Sequence, residues 1–531
     1  MTKRTRILLI ITGIIFVIIL ILSFFANSIA KNKIEALIKE KMPEHIELDY
    51  KNLSVKTLRG TIAVSEPNIQ IKLKDSSLIR TQLSMDKLIV GNISYWDYFM
   101  NDQIHIGKLE FKELNTIHYK NRKQKVKDTT LPKKVNKFPE SIKINKIILI
   151  NASAIIYDGT KDSTLLSLKN TSVLINNIEF DKTSSSKLIP FNYTKLKMES
   201  DSVFYKAGNY ENINLDHLLL EDETLTLNGF HYKTKYNKKE YSRLLAIERD
   251  YYDIEVGNLK INQFAVGQQE NDSLFFKTSL IIVDRANAAF YRDKLIADDL
   301  KVKKLYSKSI RELPLKLTID SISIKNSQVE YSEKVHINNP AGILTIKNIN
   351  AGITNISNTY SPPEKTEIIV DATFMKDTPV NVNWSFDVND KSDTFRFEGN
   401  AGKLDLSNMN VFLTPLLNAE VKGIVKETYF VINGNYNQSE INLSQEYNEI
   451  DLIILNKKKT KNKFLSSVAN VFINDKSGDD TTLTHNVTTQ AIRDKTKSFF
   501  NYLAKNLKNG LLVNFTSKNN KVTKKRKTKN N

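Results

Sequence analysis

Seven histidines are the natural place to look for chemistry, and they are scattered: His45, His105, His118, His217, His231, His336 and His485. His105 and His118 could sit near each other only across a hairpin, and two imidazoles alone do not complete a metal site. A solvent-facing strand position is the ordinary reading of each. The acids Asp475, in "NDKS", and Asp479 and Asp480 just after it invite calcium, but their spacing is not that of an EF-hand loop. Asn-Asp-Lys-Ser-Gly is also common turn composition. The chain has no G-x-x-x-x-G-K-[ST], G-x-G-x-x-G, H-E-x-x-H or G-x-S-x-G. Cysteine is absent, so thiolate nucleophiles, thiolate metal sites and disulfides are excluded. Neither catalysis nor a cofactor or metal is expected. Trp96 and Trp384 read as core or interface aromatics.

What the chain offers instead is apolar residues in a recurrent pattern. "LSMDKLIV" places Leu83, Met85, Leu88 and Val90 so that alternation slips by one residue in the middle. The same slip occurs in "IHIGKLEF" (Ile104, Ile106, Leu109, Phe111) and "IKINKIIL" (Ile142, Ile144, Ile147, Leu149). It returns in "INLDHLLL" from Ile213, in "LKINQFAV" (Leu259, Ile261, Phe264, Val266) and in "LTIDSISI" (Leu317, Ile319, Ile322, Ile324). Three copies extend alike, through "KELNTIHYK", "INASAIIYD" and "KNSQVEYSE", each reaching a tyrosine at Tyr119, Tyr157 or Tyr331. Variable spacing excludes a strict-period solenoid. Each copy reads as a hairpin-like unit. The extra residue is either a β-bulge, which bends a strand and keeps the next apolar residues on one face, or a tight turn.

Period two, with Ile, Val, Tyr, Phe and Thr broken by Asn, Asp and Lys, continues from residue 47 to 455. We expect a mainly β body there, a long, curved, mostly antiparallel sheet with bulges that curl it. Helical patterns are few: the segment after the N-terminus, "KKEYSRLLAIERDY" (Lys238–Tyr251), and the C-terminal segment. They cannot cover so much sheet. The apolar face therefore closes as a sandwich, closes as a barrel, or curls into an open groove lined for acyl chains. In the groove the lining falls on Leu83, Met85, Ile104, Ile106, Ile142, Ile144, Ile147, Leu149, Leu259, Ile261, Leu317 and Ile319. Core packing is the competing role for each.

The ends bear on location. Residues 1–6 are basic, with Lys3, Arg4 and Arg6, and residues 7–26 are uncharged. Twenty residues at ~1.5 Å each span ~30 Å, the thickness of a bilayer core. With the charges held inside, the rest is exported. A cleaved signal peptide, its cut near "NSIA", is the alternative. Residues 27–46 read as a short amphipathic stalk helix, residues 456–493 as a basic and polar connection, and 494–517 as an amphipathic helix. In that helix Phe499, Phe500, Leu503, Leu507 and Leu511 share a face. The face suits a membrane surface, a plug in a groove, or packing against the last strands. The tail 518–531 carries seven basic residues and no acid. Net charge is +19, concentrated in such ends and in runs like Lys120–Lys137. No basic run is interleaved with aromatics, so nucleic acid is not the expected partner.

An N-in anchor, a stalk and strand repeats of the "IKINKIILINASAIIY" type together resemble the AsmA-like family, with its TamB-like members, and are similar to bridge-like lipid-transfer proteins with repeating β-grooves. "LTPLLNAEVKGIVKETYFVINGNYNQSEINLSQEYNEIDLIIL" (Leu413–Leu455) and "KSFFNYLAKNLKNGLL" (Lys497–Leu512) look like the C-terminal portion of members from Bacteroidetes-type bacteria. The resemblance implies a periplasmic groove anchored in the bacterial inner membrane, phospholipid or lipopolysaccharide as cargo, a part in outer-membrane homeostasis and envelope proteins as partners. It carries over no catalytic residue. Two further readings stand beside it: an exported assembly factor whose sandwich edge pairs with partner strands, and an exported enzyme with an unrecognised site.

Overall fold

A computed structural model describes residues 23–73, 76–101, 103–120, 142–159, 161, 163–180, 191–269, 273–455, 461 and 484–516. The anchor (residues 7–22 of it), the run Lys120–Lys137 apart from Lys120, the acids at 475–480 and the tail lie outside them. Among the described residues no helix is long and apolar enough to cross a membrane. The chain is mainly β and divides into two compact units, residues 1–209 with 213–227, and residues 210–212 with 228–531.

In the first unit, helix α1 (residues 23–41) leads into β1 (Ile46–Asp49), β2 (Asn52–Lys56), β3 (Thr61–Ser65), β4 (Asn68–Lys72), β5 (Ile79–Ser84) and β6 (Lys87–Ile93). Helix α2 (Tyr95–Asn101) precedes β7 (Ile104–Lys112) and β8 (Asn115–Tyr119). Then come β9 (Ile142–Tyr157), β10 (Thr164–Phe180), β11 (Lys195–Ser200), β12 (Ser202–Tyr205), β13 (Glu211–Leu215) and β14 (His217–Glu221). Strand β15 (Thr224–Thr234) carries the chain onward. The short strands are halves of long ones. β7 and β8 both pair with β9 at one offset, Ile104 with Ile142 and Tyr119 with Tyr157. β11 and β12 pair along β10 in the same way.

The slip in the repeated motif is explained here. In β9 it falls at Asn145, and the register places Asn92, Gly107 and Asn177 beside it on the neighbouring strands. Pairing resumes unchanged beyond this row: Ile93 with Ile106, Ile106 with Ile144, Ile144 with Ile178. Every strand skips at the same place, so no strand gains a residue on its neighbour. Asn92 and Asn177 take left-handed φ of 56° and 51°. Asparagine tolerates that conformation where branched residues do not. A second row crosses the strands at Glu66, Asp86, Glu113, Asn151, Asn170 and Asp201. Here Glu66, Glu113, Asn151 and Asn170 have φ between 48° and 54°. At Asn151 and Asn170 the register shifts, as a true bulge requires. The tight-turn reading is corrected, because both halves of the motif belong to one strand line. The bulge reading of the slips is corrected too: an aligned crease without register shift stands at each of them, and the true bulges lie elsewhere, at Asn151 and Asn170.

The second unit contains α3 (Lys238–Leu244), β16 (Tyr251–Asn262), β17 (Ala265–Gln268), β18 (Leu274–Asp293), α4 (Tyr306–Arg311), β19 (Lys316–Lys334) and β20 (Gly342–Ser357). It continues through β21 (Thr366–Phe374), β22 (Thr378–Phe386), β23 (Phe395–Ala401), β24 (Leu404–Asp405), α5 (Asn410–Leu417), β25 (Ala419–Gly434), β26 (Gln438–Ile454), β27 (Thr484–Ile492) and α6 (Phe499–Thr516). Its creases repeat the device: Gln263, Asp320 and Asn355 in one row, Arg285, Asn326 and Asn348 in another.

The sheet is mostly antiparallel, as expected, but mixed: β7 and β8 run parallel to β9, and β18 runs parallel to β19. Parallel neighbours need a crossover, and between β18 and β19 residues 294–315 supply it. The segment 456–493 is also not wholly a connection, because β27 lies in it and pairs with β26. "THNVTTQAI" has too few apolar residues to announce a strand, yet Val487 and Ala491 are buried.

A candidate lipid-facing apolar surface

Directly paired residues in adjacent strands put their side chains on one face. Following the pairs across the first unit gives the row Val55, Ile62, Val90, Leu109, Ile147, Ile175, Leu196. Two residues along the strands runs a parallel row on the same face: Leu53, Val64, Leu88, Phe111, Leu149, Val173, Met198, Leu220. Of these side chains only Leu53 is buried, and all the others remain half-exposed. Beyond the first crease lie Ile93, Ile106, Ile144 and Ile178, then Ile104, Ile142 and Phe180. Beyond the second lies the row Leu48, Ile69, Leu83, Thr116, Ala154, Leu168, Val203, Leu215. The reverse face is mixed, with Lys87, Lys108, Glu110 and Lys112 beside Ile89, Ile148 and Leu174. Lys108 donates to Glu110 at 2.7 Å, which holds that carboxyl below its usual range despite its burial.

The second unit has the same construction and one addition. The row Ile261, Ile281, Ile322, Ile353, Ile368, Trp384, Phe397, Ile432, Ile441 crosses its strands. Along it exposure falls. Ile261 to Ile368 are half-exposed, Trp384 is 9% exposed, and Ile432 and Ile441 are fully buried. Helix α6 makes the difference. Phe499 stacks on Trp384 with ring centroids 4.7 Å apart and meets Phe395 edge-on at 5.0 Å. Tyr502 and Leu503 enter the same cluster, and Leu507 and Leu511 pack against it. Gly510 lets the helix approach closely: a Cβ there would stand 3.3 Å from Leu443. Ser439 donates to the buried Asn506 at 2.9 Å, and Asn514 donates to Gln445 at 3.0 Å.

The residues expected to line a groove are thus brought onto cross-strand rows, but not equally. Ile104, Ile106, Ile142, Ile147, Leu149, Leu83, Leu259, Ile261, Leu317 and Ile319 are half-exposed, whereas Met85 and Ile144 are 7% and 6% exposed. The C-terminal helical face belongs to the core. Phe499 and Leu503 are buried, Leu507 and Leu511 are partly buried, and only Phe500, at 61% exposure, remains free to meet a membrane. A membrane-surface role for the other four is therefore corrected: the last strands occupy that face. Val64, Val173 and Met198 escaped sequence reading, because their place in a row depends on register between distant strands.

His105 and His118 take separate partners. His105 accepts or donates between Asp97 (2.8 Å) and Asn145 (2.9 Å), and those hydrogen bonds raise its pKa above the ordinary 6.5. His118 bonds Thr81 at 2.9 Å, and burial lowers its pKa. Among the described residues no group of three His, Asp or Glu side chains is placed to hold a metal. A depression of about 420 Å³ follows the first crease, between Asn92, Gly107, Lys108, Asn145 and Asn177. Another of about 550 Å³ lies among Lys365, Asp387, Arg396, Asn433 and Glu440. Phe386 and Phe395 also line the second, on the face that carries Trp384. No model of a known protein family matches the chain, and no curated protein matches it.

Proposed function

We propose that the apolar face of each unit shields lipid acyl chains, as part of a membrane-anchored protein of the bacterial periplasm that handles phospholipid or lipopolysaccharide and needs no catalytic group. The observation that carries this reading is the pair of in-register apolar rows left half-exposed in the first unit. Apolar faces of that extent are normally covered in soluble proteins. Each methylene taken from water is worth about 0.8 kcal/mol, so an acyl chain laid along a row is held firmly against water. Exchange with a bilayer interior substitutes one apolar medium for another and costs little. That balance suits a surface that passes lipid on. The uncharged run at residues 7–26 and the resemblance to AsmA-like proteins support the same location and cargo.

The test is native mass spectrometry, with lipid extraction, of the purified protein. Co-purifying phospholipid is expected, and it should be lost when Ile147, Leu149 and Val173 become Ser in a protein that keeps its β-sheet circular dichroism. A folded, lipid-free protein would favour the alternative, an exported assembly factor whose sheet edge pairs with partner strands.

A further inference from the structure

The end of the first unit where the chain enters from residue 22 carries an apolar patch that no row of the sheet uses. Phe24 and Phe25 on α1 are 72% and 60% exposed. Leu58, in the 3₁₀ turn Thr57–Arg59, is 70% exposed. Tyr95, Trp96 and Met100 on α2 are 47%, 70% and 63% exposed. Hydrogen bonds gather the three elements. Thr57 donates to Asn27 Oδ1 from its amide at 2.7 Å and from its hydroxyl at 2.8 Å, and Tyr95 donates to the Thr57 carbonyl at 3.1 Å. Each element thus turns large apolar side chains outward at one place, with the exposed cations Lys56 and Arg59 beside them.

We propose that this collar docks on a lipid bilayer, seating its aromatic and aliphatic side chains at the boundary between headgroups and acyl chains. The inference rests on the reading of residues 7–26 as a membrane anchor. Its occupant follows from where that segment ends. The uncharged run continues into Phe24 and Phe25, so the collar stands within a few residues of the point where the chain leaves the bilayer. Trp and Tyr favour that depth, where the ring is in apolar surroundings and the polar atom in wet ones. Lys56 and Arg59 suit anionic headgroups. The collar also adjoins the sheet at a useful place. Helix α2 joins the ends of β6 and β7, where the row Ile104, Ile142 and Phe180 begins. Docking there sets the first apolar row against the membrane, the position from which a lipid chain can move onto the sheet.

The experiment uses the full chain reconstituted into phosphatidylcholine vesicles containing phosphatidylglycerol, with or without brominated acyl chains. The chain has only two tryptophans, and Trp384 is buried, so subtracting the spectrum of Trp96→Phe isolates Trp96. The expected result is flotation with the vesicles, a Trp96 emission shifted to shorter wavelength, and quenching by the brominated chains. Leu58→Asp with Met100→Asp should remove most of that quenching while flotation and circular dichroism stay unchanged. Flotation with a water-like, unquenched Trp96 would overturn docking and leave the anchor intact. A blue-shifted Trp96 that bromine does not quench would assign the collar to a protein contact. Failure to float would remove the anchor and docking together.

Discussion

Ile322 and Ile441 are the same residue type on one cross-strand row, yet their surroundings give them different work. Ile441 is fully buried beneath α6, whereas Ile322 is half-exposed. Ile441→Ala should destabilise the second unit by about 2–5 kcal/mol, the range for a buried aliphatic truncation. Ile322→Ala removes less transfer free energy and leaves no sealed cavity, so about 1 kcal/mol is expected. Urea unfolding of the two variants measures the difference. His105 supplies a pH-dependent test. Its pKa is raised, chiefly by Asn145 and then by Asp97, so its contribution is complete below pH 6.5 and is lost as pH rises through the folded value. The Asp97 pKa is lowered, first by Ser94 and then by His105, so its contribution is lost as pH falls through that value. Helix α2 should therefore be held best between the two, and amide exchange over residues 95–101 should quicken on either side. His105→Gln should abolish the alkaline limb. Such local detail was not legible in the sequence, where His105 read as an ordinary solvent-facing strand residue. Its partners Asp97 and Asn145 come from a helix and from a strand forty residues away.

At the scale of elements, the creases explain most of what was legible and most of what was not. The slip at Asn145 is visible in "IKINKIIL", but one strand cannot show that Asn92, Gly107 and Asn177 stand in the same row. That knowledge is a matter of register, which no local pattern contains. The left-handed backbone at Asn177 yields a direct test. A branched side chain is strained there by roughly 1–3 kcal/mol, so Asn177→Val should lower stability by that amount. Asn177→Gly relieves the strain but loses the 2.9 Å bond to Thr194, and should stay within about 1 kcal/mol of the native chain. Equal losses for Val and Gly would mean that the side-chain bond matters and the conformation does not. The C-terminal helix was legible as an amphipathic stretch, and its partner was not. Truncation after residue 498 should expose Trp384, shift its emission to longer wavelength and add binding of a hydrophobic dye.

For the whole molecule, composition already pointed to a β-rich chain without cysteine chemistry, and the strands from Ile46 to Ile454 follow the period-two pattern closely. The parallel pairs were hidden, because a crossover read from sequence looks like any other connection. The charge of +19 is concentrated in terminal and connecting runs, which leaves the sheet free to alternate apolar and polar faces. Phe111 and Lys112, and likewise Ile322 and Ser323, stand on opposite faces of their strands, and lipid should find only the first of each pair. The most direct measurement places a photoreactive amino acid in the full chain at Phe111 or at its neighbour Lys112, and likewise at Ile322 or Ser323, in cells labelled with radioactive phosphate. Crosslinks to lipid at Phe111 and Ile322, with little at Lys112 and Ser323, are the expected result. Equal labelling of both faces, or none on the apolar rows of a folded protein, would contradict the proposed function.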